Sequence, residues 1–67
     1  MIKIRANGKD YSLTEPTKLL DFLADRQVKP KLIVVELNGT IIPREKYGEV
    51  ILQAEDSVEI VHMVGGG

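Results

Sequence analysis

The sequence predicts an α+β fold, one sheet with a single helix laid across one face. Three observations carry this. Residues 2–7 and 58–64 have the period of two that sends successive side chains to opposite faces of a strand. Leu19, Leu20, Phe22, Leu23 and Ala24 instead form a broad apolar stripe at helical spacing. Asn7-Gly8 and Asn38-Gly39 then punctuate the apolar runs with the residue types that tolerate the positive φ of a tight hairpin turn.

Taken in order, Ile2, Ile4 and Ala6 alternate with Lys3, Arg5 and Asn7 to make a first strand, apolar on one face and polar on the other. Residues 7–10, Asn-Gly-Lys-Asp, reverse the chain, and Tyr11 to Thr14 return antiparallel. After Pro16, Thr17 is the expected N-cap, its hydroxyl oxygen taking up a free amide at the start of a helix over residues 18–27. Pro30 keeps that helix from continuing. Leu32 to Leu37 is β-branched and almost continuously apolar, as suits a strand near the middle of a sheet. Asn38-Gly39 leads to a short strand, Thr40-Ile41-Ile42, which Pro43 ends because proline has no N–H for the ladder. Residues 44–49 read as an irregular or single-turn crossover and 50–53 as a brief pairing segment. Glu55-Asp56-Ser57 form a turn, and Val58 to Val64 the last strand. The order ββαββ covers one sheet face and leaves the other to solvent or a partner. If Val58, Ile60, His62 and Val64 meet the helix, Val61 and Met63 stand exposed beside the end of the chain.

Composition excludes several function classes. A chain of 67 residues buries only roughly 60% of the surface its unfolded form exposes, which leaves little room for an enclosed active site. Cysteine is absent, so disulfides, thiolate metal sites and thiol nucleophiles are all excluded. Nine basic residues are scattered among ten acidic ones for a net charge of −1, which gives no footprint for nucleic acid or an anionic membrane. No N-terminal apolar run resembles a signal peptide, and none anywhere is long enough to span a membrane. These features predict a soluble cytoplasmic protein with protein or small-molecule partners.

No side chain in the body of the chain suggests catalysis. His62 is the sole histidine and has no companion at a metal-ligand or dyad spacing. Asn38-Gly39-Thr40 matches a glycosylation sequon, but the same residues serve as a hairpin turn in a chain without a secretion signal. Asp21, Asp25 and Arg26 read as the solvated side of the helix. That leaves Gly65, Gly66 and Gly67, which are either linker or the working end. A terminal carboxylate is ionised at neutral pH and is a poor electrophile, so another protein would have to activate it. Glycines suit that task because, lacking Cβ, they can thread a narrow cleft. Four residues from Val64 onward could reach roughly 13 Å.

The segments IVVELNGTIIPREKY and SVEIVHMVGGG resemble the ThiS family, sulfur carriers of thiamine biosynthesis. The likeness covers the whole chain in length and element order and is strongest from Leu32 to Gly67. It implies a β-grasp (ubiquitin-like) fold, with a mixed four- to five-stranded sheet and one helix across one face. Residues 1–64 would form a single domain and 65–67 a flexible tail. It also implies that the Gly67 carboxylate is adenylated with ATP by an E1-like adenylyltransferase of the ThiF type. A persulfide donor then converts it to a thiocarboxylate, which delivers sulfur to a thiazole synthase of the ThiG type. On this reading the protein is a cosubstrate, not an enzyme, and binds no metal or cofactor of its own. Gly65, Gly66 and Gly67 enter partner active sites, while Val61, Met63 and Val64 dock. The absent cysteine fits, because sulfur rides on the main-chain carboxyl. One departure is Glu55-Asp56, where the family usually has Gly-Asp. A non-glycine residue at positive φ costs roughly 1–2 kcal/mol, so a different turn type is expected here. The competing readings are a molybdopterin synthase small subunit, a ubiquitin-like modifier joined through Gly67 to lysines, and a binding module with a vector-derived end.

Overall fold

The computed structural model describes residues 1–63. Strands β1 (Ile2–Ala6) and β2 (Lys9–Leu13) form the opening hairpin. Asn7 and Gly8 take φ of 51° and 82°, the left-handed pair that a two-residue hairpin turn needs to match strand twist. The reversal is therefore tighter than the four-residue turn expected, and β2 begins at Lys9. Asn38 and Gly39 repeat the geometry at φ of 50° and 87° between β4 (Ile33–Leu37) and β5 (Thr40–Ile42).

The helix departs from expectation at its start. Thr17 and Lys18 form a short strand, β3, antiparallel to β6 (Ile51–Leu52), and α1 spans Leu19–Asp25. Thr17 therefore cannot cap the helix: its hydroxyl donates to the Glu15 carbonyl at 2.9 Å, and Lys18 holds the cap position without a side-chain bond. Pairing with a distant segment overrides the local N-cap preference. The helix N-terminus is tied down instead by the Leu19 amide, which donates to the Val50 carbonyl at 3.0 Å. At the other end, the Gln27 amide bonds Ala24 and the Val28 amide bonds Leu23. This is a Schellman cap with Gln27 at the left-handed position, φ 59°.

The main sheet has the order β2-β1-β7-β4-β5, where β7 is Ser57–His62. Its β1–β7 pair is parallel and the rest antiparallel, so the sheet is mixed, as a β-grasp fold requires. One face carries the core. Ile4, Ala6, Ile33, Val35 and Val58 from the sheet meet Leu19, Phe22 and Leu23 from α1 and Leu52 from β6. Tyr47 enters from a 3₁₀ segment, Arg44–Glu49, and its buried hydroxyl donates to the Ile33 carbonyl at 3.3 Å. The helical stripe is narrower than its apolar residues suggest, since Leu20 and Ala24 face outward. Arg26 is exposed with Asp21 and Asp25 on the solvated face but also covers two rings. Its guanidinium lies over the rings of Phe22 and Tyr11, 3.8 and 4.7 Å from their centroids, with the side chain one-third exposed (33%).

The last turn overturns another expectation. Glu55 has φ 72°, so the chain keeps the glycine-like conformation with glutamate in place. Neighbouring bonds hold it there. The Glu55 amide donates to the Lys3 carbonyl at 2.7 Å. Asp56 accepts the Gln53 amide at 2.8 Å and the Asn38 side-chain amide at 3.0 Å, using both carboxylate oxygens.

Candidate functional site

Strand β7 leads toward the terminal glycines, and the fold grips it on both edges. On one edge it pairs with β4 from Ile33↔His62 to Leu37↔Val58. The pairing carries on to an amide bond from Met63 to the Leu32 carbonyl at 2.9 Å. On the other edge the ladder with β1 covers just Arg5↔Ser57 and Ala6↔Val58. Beyond it the Asn7 side chain substitutes for a strand. Its Oδ1 accepts the Ile60 amide at 2.7 Å and its Nδ2 donates to the Ile60 carbonyl at 3.1 Å. Asn38 does the same at the start of β7, its Oδ1 accepting the Ser57 amide at 2.8 Å. Both turn asparagines therefore serve twice, since each tolerates left-handed φ and each satisfies strand backbone that would otherwise lack a partner.

Alternation along β7 separates its two faces as expected. Val58 is buried and Ile60 half-buried toward the helix, whereas Val61 and Met63 are 61% and 49% exposed on the outer face. His62 belongs to the helix side but sits exposed at its rim, beside Tyr11, Phe22 and Arg26 in a shallow cleft. Val64, Gly65, Gly66 and Gly67, the remaining residues assigned to docking and to the tail, lie outside the described residues.

The register also assigns to the outer face residues that were not singled out from the sequence. Val34 stands directly opposite Val61, and Leu32 lies beside Met63. Ile41 pairs with Glu36 one strand further over. Leu32, Val34, Val61 and Met63 are all exposed and neighbour one another in an apolar patch, with exposed Ile41 set beside Glu36 at its edge, the arrangement that marks an interaction surface. The signal for it lay in the unbroken apolar run of 32–35. In a sheet covered on one side, such a run must leave every second residue bare. Among the described residues no helix is long and apolar enough to cross a membrane, and no group of acidic residues or histidine is placed to hold a metal ion.

Comparison with known proteins agrees with this arrangement. The ThiS family model matches residues 4–67. The sulfur carrier protein ThiS of Bacillus subtilis is 45% identical over 65 residues, covering 96% of this chain and 98% of that protein. A thiazole synthase of Magnetococcus marinus is 36% identical over 66 residues, 98% of this chain; the chain spans 20% of that protein's length. Among solved structures, the thiamine biosynthesis protein (ThiS) of Geobacter metallireducens superposes with a TM-score of 0.84 at 28% identity, covering 98% of this chain and all of that one.

Proposed function

The chain belongs to the ThiS family, the sulfur carriers of thiamine biosynthesis, and from that premise we propose that the carboxylate of Gly67 is its one reactive group. The observation that carries the proposal is the family match itself, which runs through all three terminal glycines to residue 67. A carboxylate resists nucleophiles because it is already anionic, so it must first be given a leaving group. An E1-like adenylyltransferase supplies one: a carboxylate oxygen attacks the α-phosphorus of ATP, pyrophosphate departs, and Gly67 becomes an acyl adenylate. The terminal sulfur of a persulfide then attacks the acyl carbon and AMP leaves. A thiol cleaves the remaining S–S bond, and the thiocarboxylate is ready for transfer.

Thiazole synthase is the proposed recipient. Support comes from the thiazole synthase of Magnetococcus marinus and a second from Paramagnetospirillum magneticum, each of which contains a segment similar to this whole chain. Joining a carrier to its acceptor in one polypeptide replaces a bimolecular encounter by an intramolecular one, at effective concentrations on the order of millimolar for a short linker. In a separate carrier, docking must do that work. The outer face with Val61 and Met63, extended by Val34 and Leu32, is the surface proposed for it, with Val64 at the root of the tail. Gly65, Gly66 and Gly67 lack the side chains that would bar a narrow active-site entrance.

Intact-mass measurement tests the reading. Incubation with ATP and the adenylyltransferase should add an adenylyl group, and adding a persulfide donor should leave the gain of one oxygen exchanged for sulfur. A chain lacking Gly67 should fold normally and show neither. An unchanged mass in the full-length protein would refute the proposal.

A further inference from the structure

Register in the outer face brings together two carboxylates. Glu36 on β4 and Glu59 on β7 are direct cross-strand partners, one residue pair along from Val34 and Val61 on the same face. Directly opposed residues have their Cβ atoms about 5 Å apart, and like charges placed so are destabilising. No ion pair within 4 Å relieves them among the described residues. The cations that form ion pairs, Arg5, Arg26 and Lys46, are engaged with Asp10, Asp25 and Glu49, and neither glutamate makes a side-chain hydrogen bond or ion pair to the described residues. Ile41 flanks Glu36 on its other side, so the two carboxylates adjoin the apolar patch directly.

Resting on the carrier reading above, we infer that Glu36 and Glu59 are specificity-determining residues of the docking face, together receiving one lysine or arginine from thiazole synthase. A cation between two carboxylates removes their mutual repulsion and gains attraction from both, whereas a neutral or acidic surface would bury the pair uncompensated. The partner surface that fits is therefore apolar where it covers Val34, Val61, Leu32 and Met63, with a basic side chain at one end. Its position follows from strand geometry. Glu59 lies four residues before Met63 along β7, about 13 Å at the usual strand rise. The glycines follow Met63 and Val64 in the chain. The basic residue must therefore stand at the end of the contact remote from the entrance that admits the tail.

The opposed charges make stability and binding respond in opposite directions. Glu59→Lys would pair with Glu36 in the free protein and raise its melting temperature, yet it would repel the partner's cation. Glu36→Gln and Glu59→Gln should leave melting unchanged or raise it, and each should weaken binding by about threefold to tenfold at low salt. The double variant should lose most of the salt dependence that wild type shows. Titrating each variant, and Val61→Glu beside them, against purified thiazole synthase from the same organism decides the matter. The inference is overturned if the glutamine variants and Glu59→Lys bind as wild type does, with the same salt dependence, while Val61→Glu fails to bind; the face then docks by apolar contact alone. If Val61→Glu also binds normally, or wild type does not bind, the docking reading beneath it fails too.

Discussion

Glu55 and Gln27 hold their backbones at φ of 72° and 59°, where a Cβ crowds the following carbonyl and costs an L-residue roughly 1–2 kcal/mol. Neither side chain offsets this by a bond of its own among the described hydrogen bonds. The conformation persists because the surroundings demand it, through the Lys3 carbonyl and the Asp56 web at one site and the Schellman cap at the other. Glycine would remove the clash but make the unfolded chain more flexible, a cost of roughly 0.4–1 kcal/mol. Glu55→Gly and Gln27→Gly should therefore each stabilise the fold by about 0.5 kcal/mol. Thermal melting should rise by a few degrees, since about 1 kcal/mol moves a domain of this size by roughly 4–8 °C. A lower melting temperature in either variant would show that these side chains hold contacts that outweigh the strain.

At the scale of elements, β7 is the strand on which the rest depends, and its grip by Asn7 can be tested alone. Asn7→Gly keeps the left-handed turn while deleting both bonds to Ile60; the strain it relieves and the unfolded-chain flexibility it adds oppose each other, so the lost hydrogen bonds dominate its effect. Each such bond contributes a net of about 0.5–1.5 kcal/mol. The variant should lose about 1–3 kcal/mol in denaturant titration, and the Ile60 amide should exchange faster with solvent than its neighbours bonded to β4. Uniform acceleration along β7 would mean that Asn7 supports the whole strand and not its far end. That the chain reverses at Asn7-Gly8 and Asn38-Gly39 was readable from the sequence, because Asn-Gly is a local signal, although the first turn was expected to run on to Asp10. The asparagine bonds to β7 were not, since Asn7 and Ile60 are far apart in the chain. The same reason hid β3: Thr17 and Lys18 look like a helix start until Leu52 and Ile51 are placed beside them. The ring contacts of Arg26 were hidden similarly, because helical spacing puts it on the exposed polar side, where it lies, but does not show Tyr11 of β2 beside it.

Over the whole molecule, the two faces of one sheet divide the stabilising core from the proposed docking surface. One short helix can cover one face, and the buried set of Leu19, Phe22, Leu23, Ile33, Val35 and Val58 does the stabilising there. Truncating Leu23 to alanine should cost about 2–5 kcal/mol, enough to threaten a domain this small. The opposite face has no such role, which is why Val61 and Met63 could be picked out from alternation in β7. Val34, Leu32 and Ile41 needed the pairing register. Met63→Glu measures this division. A glutamate there replaces a half-exposed side chain on the uncovered face, so unfolding free energy should stay within about 0.5 kcal/mol of wild type. In a complex the same carboxylate would be stripped of water against an apolar partner surface without a counter-charge, and affinity for thiazole synthase should fall at least tenfold, about 1.4 kcal/mol. Calorimetric melting of the free variant, run beside a binding titration, separates the two quantities. Loss of fold would assign Met63 to the core and reverse the faces. Intact fold with unchanged binding would remove Met63 from the docking surface.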